Sequence, residues 1–120
     1  MSSVRELSPE GVFRIHPKIR WAGLATDLGE VLFSQMRPGV ESLSPPETDR
    51  SFMQLGPLLL SGVCERLAPW AGSLELIIIQ YQKVVMFVTR LGRHNLALTL
   101  DKADAEAMPE VKKSLLSVHV

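Results

Sequence analysis

The sequence predicts an α+β domain: a five-stranded antiparallel sheet with helices on both faces, in the order α-β-β-α-β-β-β-α. Three observations predict it. Leu74 to Leu100 (LELIIIQYQKVVMFVTRLGRHNLALTL) holds three runs of β-branched and aliphatic residues separated by two polar breaks, the pattern of three consecutive antiparallel strands. Upstream, Ile19 to Thr26 and Glu30 to Met36 flank Asp27-Leu28-Gly29, where Asp favours a turn start and Gly supplies the positive φ of a tight connection. Between these groups lies a long stretch with a helix start signal and helical spacing of its apolar residues.

In chain order, Val4, Leu7, Val12, Phe13 and Ile15 are spaced for a short amphipathic helix of one to three turns, with Ser8-Pro9-Glu10 as its start. Gly11 weakens this helix. His16-Pro17 ends it, because the residue before a proline is pushed out of the α region. Residues 1–11 are expected to be the flexible part of one domain spanning 1–120. Along the first strand Ile19, Trp21, Gly23 and Ala25 are expected on one face and Arg20, Ala22, Leu24 and Thr26 on the other. Along the second, Val31 and Phe33 are expected to oppose Leu32, Ser34 and Met36. Neither strand is cleanly half polar, so both faces of the sheet are expected to be covered.

Residues 37–46 (RPGVESLSPP) read as a loop ending in Ser44-Pro45-Pro46-Glu47, a capping serine with Glu three residues later. A helix is expected from Pro46 to Leu67. Its apolar residues Phe52, Met53, Leu55, Leu58, Leu59, Leu60, Val63, Cys64 and Leu67 cover more than the single stripe of about 100° that one sheet contact needs. Gly56-Pro57 lies inside it, so the sequence predicts either a kink or two shorter helices meeting there. Ala68 to Ser73 reads as a turn. The triple isoleucine of Leu74 to Gln80 suits a strand buried on both faces, and Lys83 to Arg90 follows it. Leu96, Leu98 and Leu100 alternate with Ala97 and Thr99 in the last strand. Met108, Val111, Leu115 and Val118 make a narrow helical stripe at the end, with Pro109 in its first turn.

Thirteen basic and thirteen acidic residues cancel, so no whole-molecule field favours nucleic acid or an anionic membrane. The hydrophobic share of 46% places the chain in the globular class. A single cysteine, Cys64, excludes an internal disulfide framework and any multi-cysteine zinc site, and it points to an intracellular, cytoplasmic protein. No apolar run approaches the roughly 18 residues of a membrane span, so no membrane insertion is expected.

The chemistry-bearing residues do not converge. His16, His94 and His119 have no short ligand spacing, and the glycines form neither phosphate-cradling motif. Cys64 falls on the apolar pattern of the long helix and reads as a buried structural thiol. Glu47, Asp49 and Glu65 read as a solvated helix face. Arg90, Arg93 and His94, with Lys83 across the hairpin, read as a small basic cluster at one sheet end. Trp21 and Trp70 read as core or rim anchors, an exposed tryptophan being the mark of an interface. No catalytic, cofactor or metal site is expected, and the chain is expected not to be an enzyme.

What remains is an apolar excess on the long helix and the triple-isoleucine strand. That strand begins the meander and so is placed at a sheet edge, where an oily strand must be paired or covered. A two-fold homodimer pairing these edges and the two long helices satisfies both. Its candidate interface is Phe52, Leu59 and Val63 on the helix with Glu75, Ile77 and Ile79 on the strand.

The element order, with Ile15-His16-Pro17-Lys18-Ile19-Arg20-Trp21-Ala22-Gly23 followed by Asp27-Leu28-Gly29, resembles the roadblock/dynein light chain superfamily, a small profilin-like domain. The opening is similar to that of uncharacterised archaeal roadblock-like proteins, with His16 in place of their acidic residue. The Lys83-Val84-Val85 onset is also similar, and the likeness spans about residues 12–118. The resemblance implies dimerisation through the central helix and the third strand, and a role as partner or regulator of a small Ras-like GTPase. It supplies no catalytic residue. The alternative is a profilin- or PAS-like small-molecule-sensing domain, with a ligand held between Trp21, Phe33 and a helix.

Overall fold

Five of the apolar runs form strands: β1 (Ile19–Thr26), β2 (Val31–Met36), β3 (Leu76–Gln80), β4 (Val84–Leu91) and β5 (His94–Asp101). A computed structural model describes residues 7–62 and 64–117, with the side chains of residues 55, 57–62, 64, 65 and 105 left aside. The strands make one antiparallel sheet of order β2-β1-β5-β4-β3, so the last strand in sequence lies at its centre. Among the described residues four α-helices accompany it: α1 (Pro9–Phe13), α2 (Pro46–Gly62), α3 (Ala68–Ala71) and α4 (Met108–Leu116).

The alternation of β5 sets the two faces. Leu96, Leu98 and Leu100 are fully buried in the larger core, where Ala22 and Leu24 of β1, Val85 and Phe87 of β4, Val12 and Phe13 of α1, and Val111 and Leu115 of α4 meet them. Asn95, Ala97 and Thr99 point the other way, toward α2, whose Met53 packs with Trp21, Ala25, Val88 and Ala97. Along β5 the large residues thus face one layer and the smaller ones the other.

Two bulges correct the expected faces. The β1–β5 register slips between Ile19 and Trp21, which turns Ile19 into the larger core with Ala22 and Leu24, not toward Trp21. The β1–β2 register slips between Leu24 and Ala25, opposite Phe33 and Val31, so Val31 joins Met36 on the α2 face and Phe33 packs against the other core. An extra residue in one strand reverses every side chain beyond it, and nothing in the hydrophobic alternation marks where it sits.

At the N-terminus Ser8 caps α1, its hydroxyl accepting from Gly11 N–H at 3.1 Å, with Pro9 at the first position, as expected. The expected flexibility of residues 1–11 falls partly on residues 1–6, and Val4 and Val118 of the expected stripes also lie outside the described residues. The capping role expected of Ser44 is not taken up. Its hydroxyl donates to Asp49 Oδ1 at 2.6 Å, and Pro45, not Ser44, immediately precedes the helix, which begins at Pro46 as expected. α2 runs unbroken through Gly56-Pro57, so the two-helix alternative is excluded. It ends at Gly62, short of Leu67, with a 3₁₀ turn at Cys64–Leu67. Ala68–Ala71 is helical where a turn was expected, with Pro69 in its first turn and Gly72 (φ 88°) ending it. A second 3₁₀ segment, Lys102–Ala107, leads into α4.

Lys83 does not join Arg90, Arg93 and His94. It precedes β4 while they lie at the other end, and the seven steps from Lys83 to Arg90 span about 23 Å at the rise of a strand. The turn at that far end is tight, with Gly92 (φ 62°) between Leu91 and its partner His94.

Candidate functional site

β3 is a sheet edge. It pairs with β4 on one side only, leaving an outer row of strand backbone groups open. Its isoleucines are not buried on both faces, as the sequence suggested, because no strand among the described residues pairs beyond this edge. Ile77 and Ile79 are half-buried on the α2 face, and Ile77 packs against the cluster around Met53. Ile78 faces the α4 side and is 42% exposed. Trp70 of α3 (83% exposed), Leu67 and Leu116 expose further apolar surface nearby. Leu67, Ala71, Leu76, Ile78 and Leu116 line a groove of about 550 Å³ along this margin, with Lys112 at its side.

The expected interface residues fall as follows. Phe52 is half-buried in the α2 layer and packs on the same cluster as Ile77, so the fold does bring the helix and strand members together. Leu59 lies on α2 with its side chain outside the description, and Val63 is outside the described residues. Glu75 is exposed just before β3, its carbonyl accepting from Thr89 Oγ1 at 2.8 Å. Ile78 and Leu116 belong to the same margin and were missed, Ile78 through its place among three isoleucines. Trp70, read from the sequence as a core or rim anchor, is exposed at this margin.

A second feature lies beneath the first turns of α2. A cavity of about 340 Å³ is lined by Trp21, Met36, Val84, Met86 and Thr99 of the sheet region, by Thr48, Asp49 and Phe52 of α2, by Ser42–Ser44, and by Arg20 and Tyr81. Trp21 is fixed there: its Nε1–H donates to Ser34 Oγ at 3.1 Å, and a Cβ on Gly23 would come within 2.7 Å of its ring. Phe33, expected beside such a cavity, is on the other face.

The remaining polar residues are mostly structural. Lys18 N–H donates to His16 Nδ1 at 3.1 Å, while His16 Nε2 lies 3.3 Å from Glu110 of α4. Cys64 opens the 3₁₀ turn after α2. Among the described residues no three His, Cys, Asp or Glu side chains gather as a metal site, and no helix is long and apolar enough to cross a membrane.

No protein-family model and no curated protein sequence matches the chain. Solved structures do. The gliding protein MglB from Thermus thermophilus superposes with a TM-score of 0.67 at 18% identity, over 88% of this chain and 78% of that one. A roadblock/LC7 domain from Streptomyces avermitilis superposes with a TM-score of 0.65 at 16% identity, over 90% and 88%. An MglB in a tetrameric arrangement gives 0.67 at 17% identity, over 88% and 78%. The chain has the roadblock fold.

Proposed function

We propose that this chain is a non-enzymatic, cytoplasmic interaction module that works as a homodimer and serves as partner or regulator of a small Ras-like GTPase. One observation carries the dimer: the open edge of β3, with Ile78 42% exposed beside Leu67, Trp70 and Leu116. An unprotected apolar edge strand is an aggregation hazard, and pairing it with its own copy removes the hazard. Phe52, Leu59, Val63, Glu75, Ile77 and Ile79 are the interface residues of this reading, joined by Ile78. The tetrameric arrangement of a structurally similar MglB supports assembly as the mode of action. The GTPase rests on analogy of fold.

Sedimentation at tens of micromolar tests the assembly, and a monomer there would sink it. Added to purified Ras-like GTPases from the same organism, the chain is expected to bind one and change its rate of nucleotide exchange or hydrolysis. No binding to any of them would remove the GTPase. The cavity beneath α2 supports a second reading, a small-molecule-sensing domain.

A further inference from the structure

We propose that the cavity beneath α2 is a binding site for a small organic cation, an ammonium carried on an apolar or aromatic body. The inference rests on the ligand-sensing reading and is independent of the dimer.

On the α2 face the central strand lines the cavity with Thr99 alone, because the space over Gly23 and Ala97 is already taken by the Trp21 ring and Met53. Thr48 and Asp49, with Phe52 one turn further along α2, form the roof. Three aromatic rings line the space: Trp21 in the wall, Phe52 in the roof and Tyr81, 48% exposed, near the strand turn. Met36 and Met86 fill in between them with polarisable, adaptable side chains.

Charge then selects the ligand. Arg20 and Asp49 are the charged residues lining the cavity. Arg20 is already engaged, its Nη1 3.4 Å from Asp101 Oδ2 and its Nη2 donating to the Glu41 carbonyl at 3.0 Å. Asp49 accepts a hydrogen bond from the Ser44 hydroxyl at 2.6 Å, and no cation pairs with it among the described residues. An anionic ligand would meet an uncompensated carboxylate. A cation meets a carboxylate in a space lined by three aromatic residues, the composition that recognises ammonium groups. The apolar remainder of such a ligand fits the Trp21, Met36 and Met86 surface.

The test is a titration of the ¹⁵N-labelled full chain, followed by NMR, with benzyltrimethylammonium, benzyl alcohol and phenylacetate. The cation is expected to give saturable shifts at the Trp21 indole N–H and the amides of Thr48 and Asp49. It should bind about tenfold more tightly than benzyl alcohol, the scale of a partly desolvated cation–π and charge contact. Asp49→Asn should erase that preference while leaving benzyl alcohol binding in place, its spectrum confirming the fold. Equal or tighter binding of benzyl alcohol or phenylacetate would overturn the cation and keep the ligand-sensing reading. Absence of saturable shifts with all three probes would overturn both.

Discussion

Arg37 holds together more of the chain than any motif in it announces. Its Nε donates to the Ile19 carbonyl at 2.6 Å and its Nη2 to the carbonyls of Phe13 and His16, both at 2.8 Å, with the guanidinium 5.0 Å from the Phe13 ring centroid. The segment from the end of α1 to the start of β1 has no ladder of its own there, so one planar fork satisfies three carbonyls. Arg37→Ala is expected to destabilise the fold by about 2–3 kcal/mol, discounted for partial exposure, and Arg37→Lys to recover only a minority of that. Urea denaturation checks it, and a lysine variant as stable as wild type would show that charge alone suffices. The sequence places Arg37 at the start of a Pro/Gly loop and says no more, because its partners are backbone carbonyls 18 to 24 residues away. Gly23 and Trp21 make the same point: their alternation was legible, but not that the ring lies where a Cβ on Gly23 would stand.

At the scale of the element, α2 was legible in its start, but not in its end or in its passage through Gly56-Pro57. Gly56-Pro57 argues for a kink or a break on local grounds, yet the helix runs from Pro46 to Gly62. Packing of its apolar face can outweigh one lost hydrogen bond. A Cβ at Gly56 would meet nothing within 4 Å in the single chain. Gly56→Ala is therefore expected to stabilise the monomer fold by up to about 1 kcal/mol, read from the urea midpoint. If the variant unfolds more easily instead, a neighbour occupies that space. β5 shows the converse case: Leu96, Leu98 and Leu100 announced a buried face, while Thr99 between them announced nothing of the cavity it lines.

For the whole molecule, the sheet has two edges of different character. β2 exposes Leu32 and Gln35, its Ser34 hydroxyl being taken by Trp21, whereas β3 carries three isoleucines, of which Ile78 is exposed, and borders the groove of Leu67, Ile78 and Leu116. Polar residues protect an edge and apolar ones invite pairing. Ile78→Lys is thus expected to shift the assembly to monomer at tens of micromolar with its circular dichroism retained, while Leu32→Lys leaves it unchanged. The reverse outcome in sedimentation would move the interface to β2. By itself the sequence determined the types and order of the main elements, and through them the α+β class, because periodicity and turn chemistry act over a few residues. It also marked β3 as too oily for a solitary edge. Only the tertiary structure decided the lateral order with β5 at the centre, the bulges that redirected Ile19 and Val31, the fork of Arg37 and the cavity facing Asp49. Strand backbones offer the same donors and acceptors to any partner, so which strands meet, and in what register, is set by the joint packing of side chains far apart in the chain.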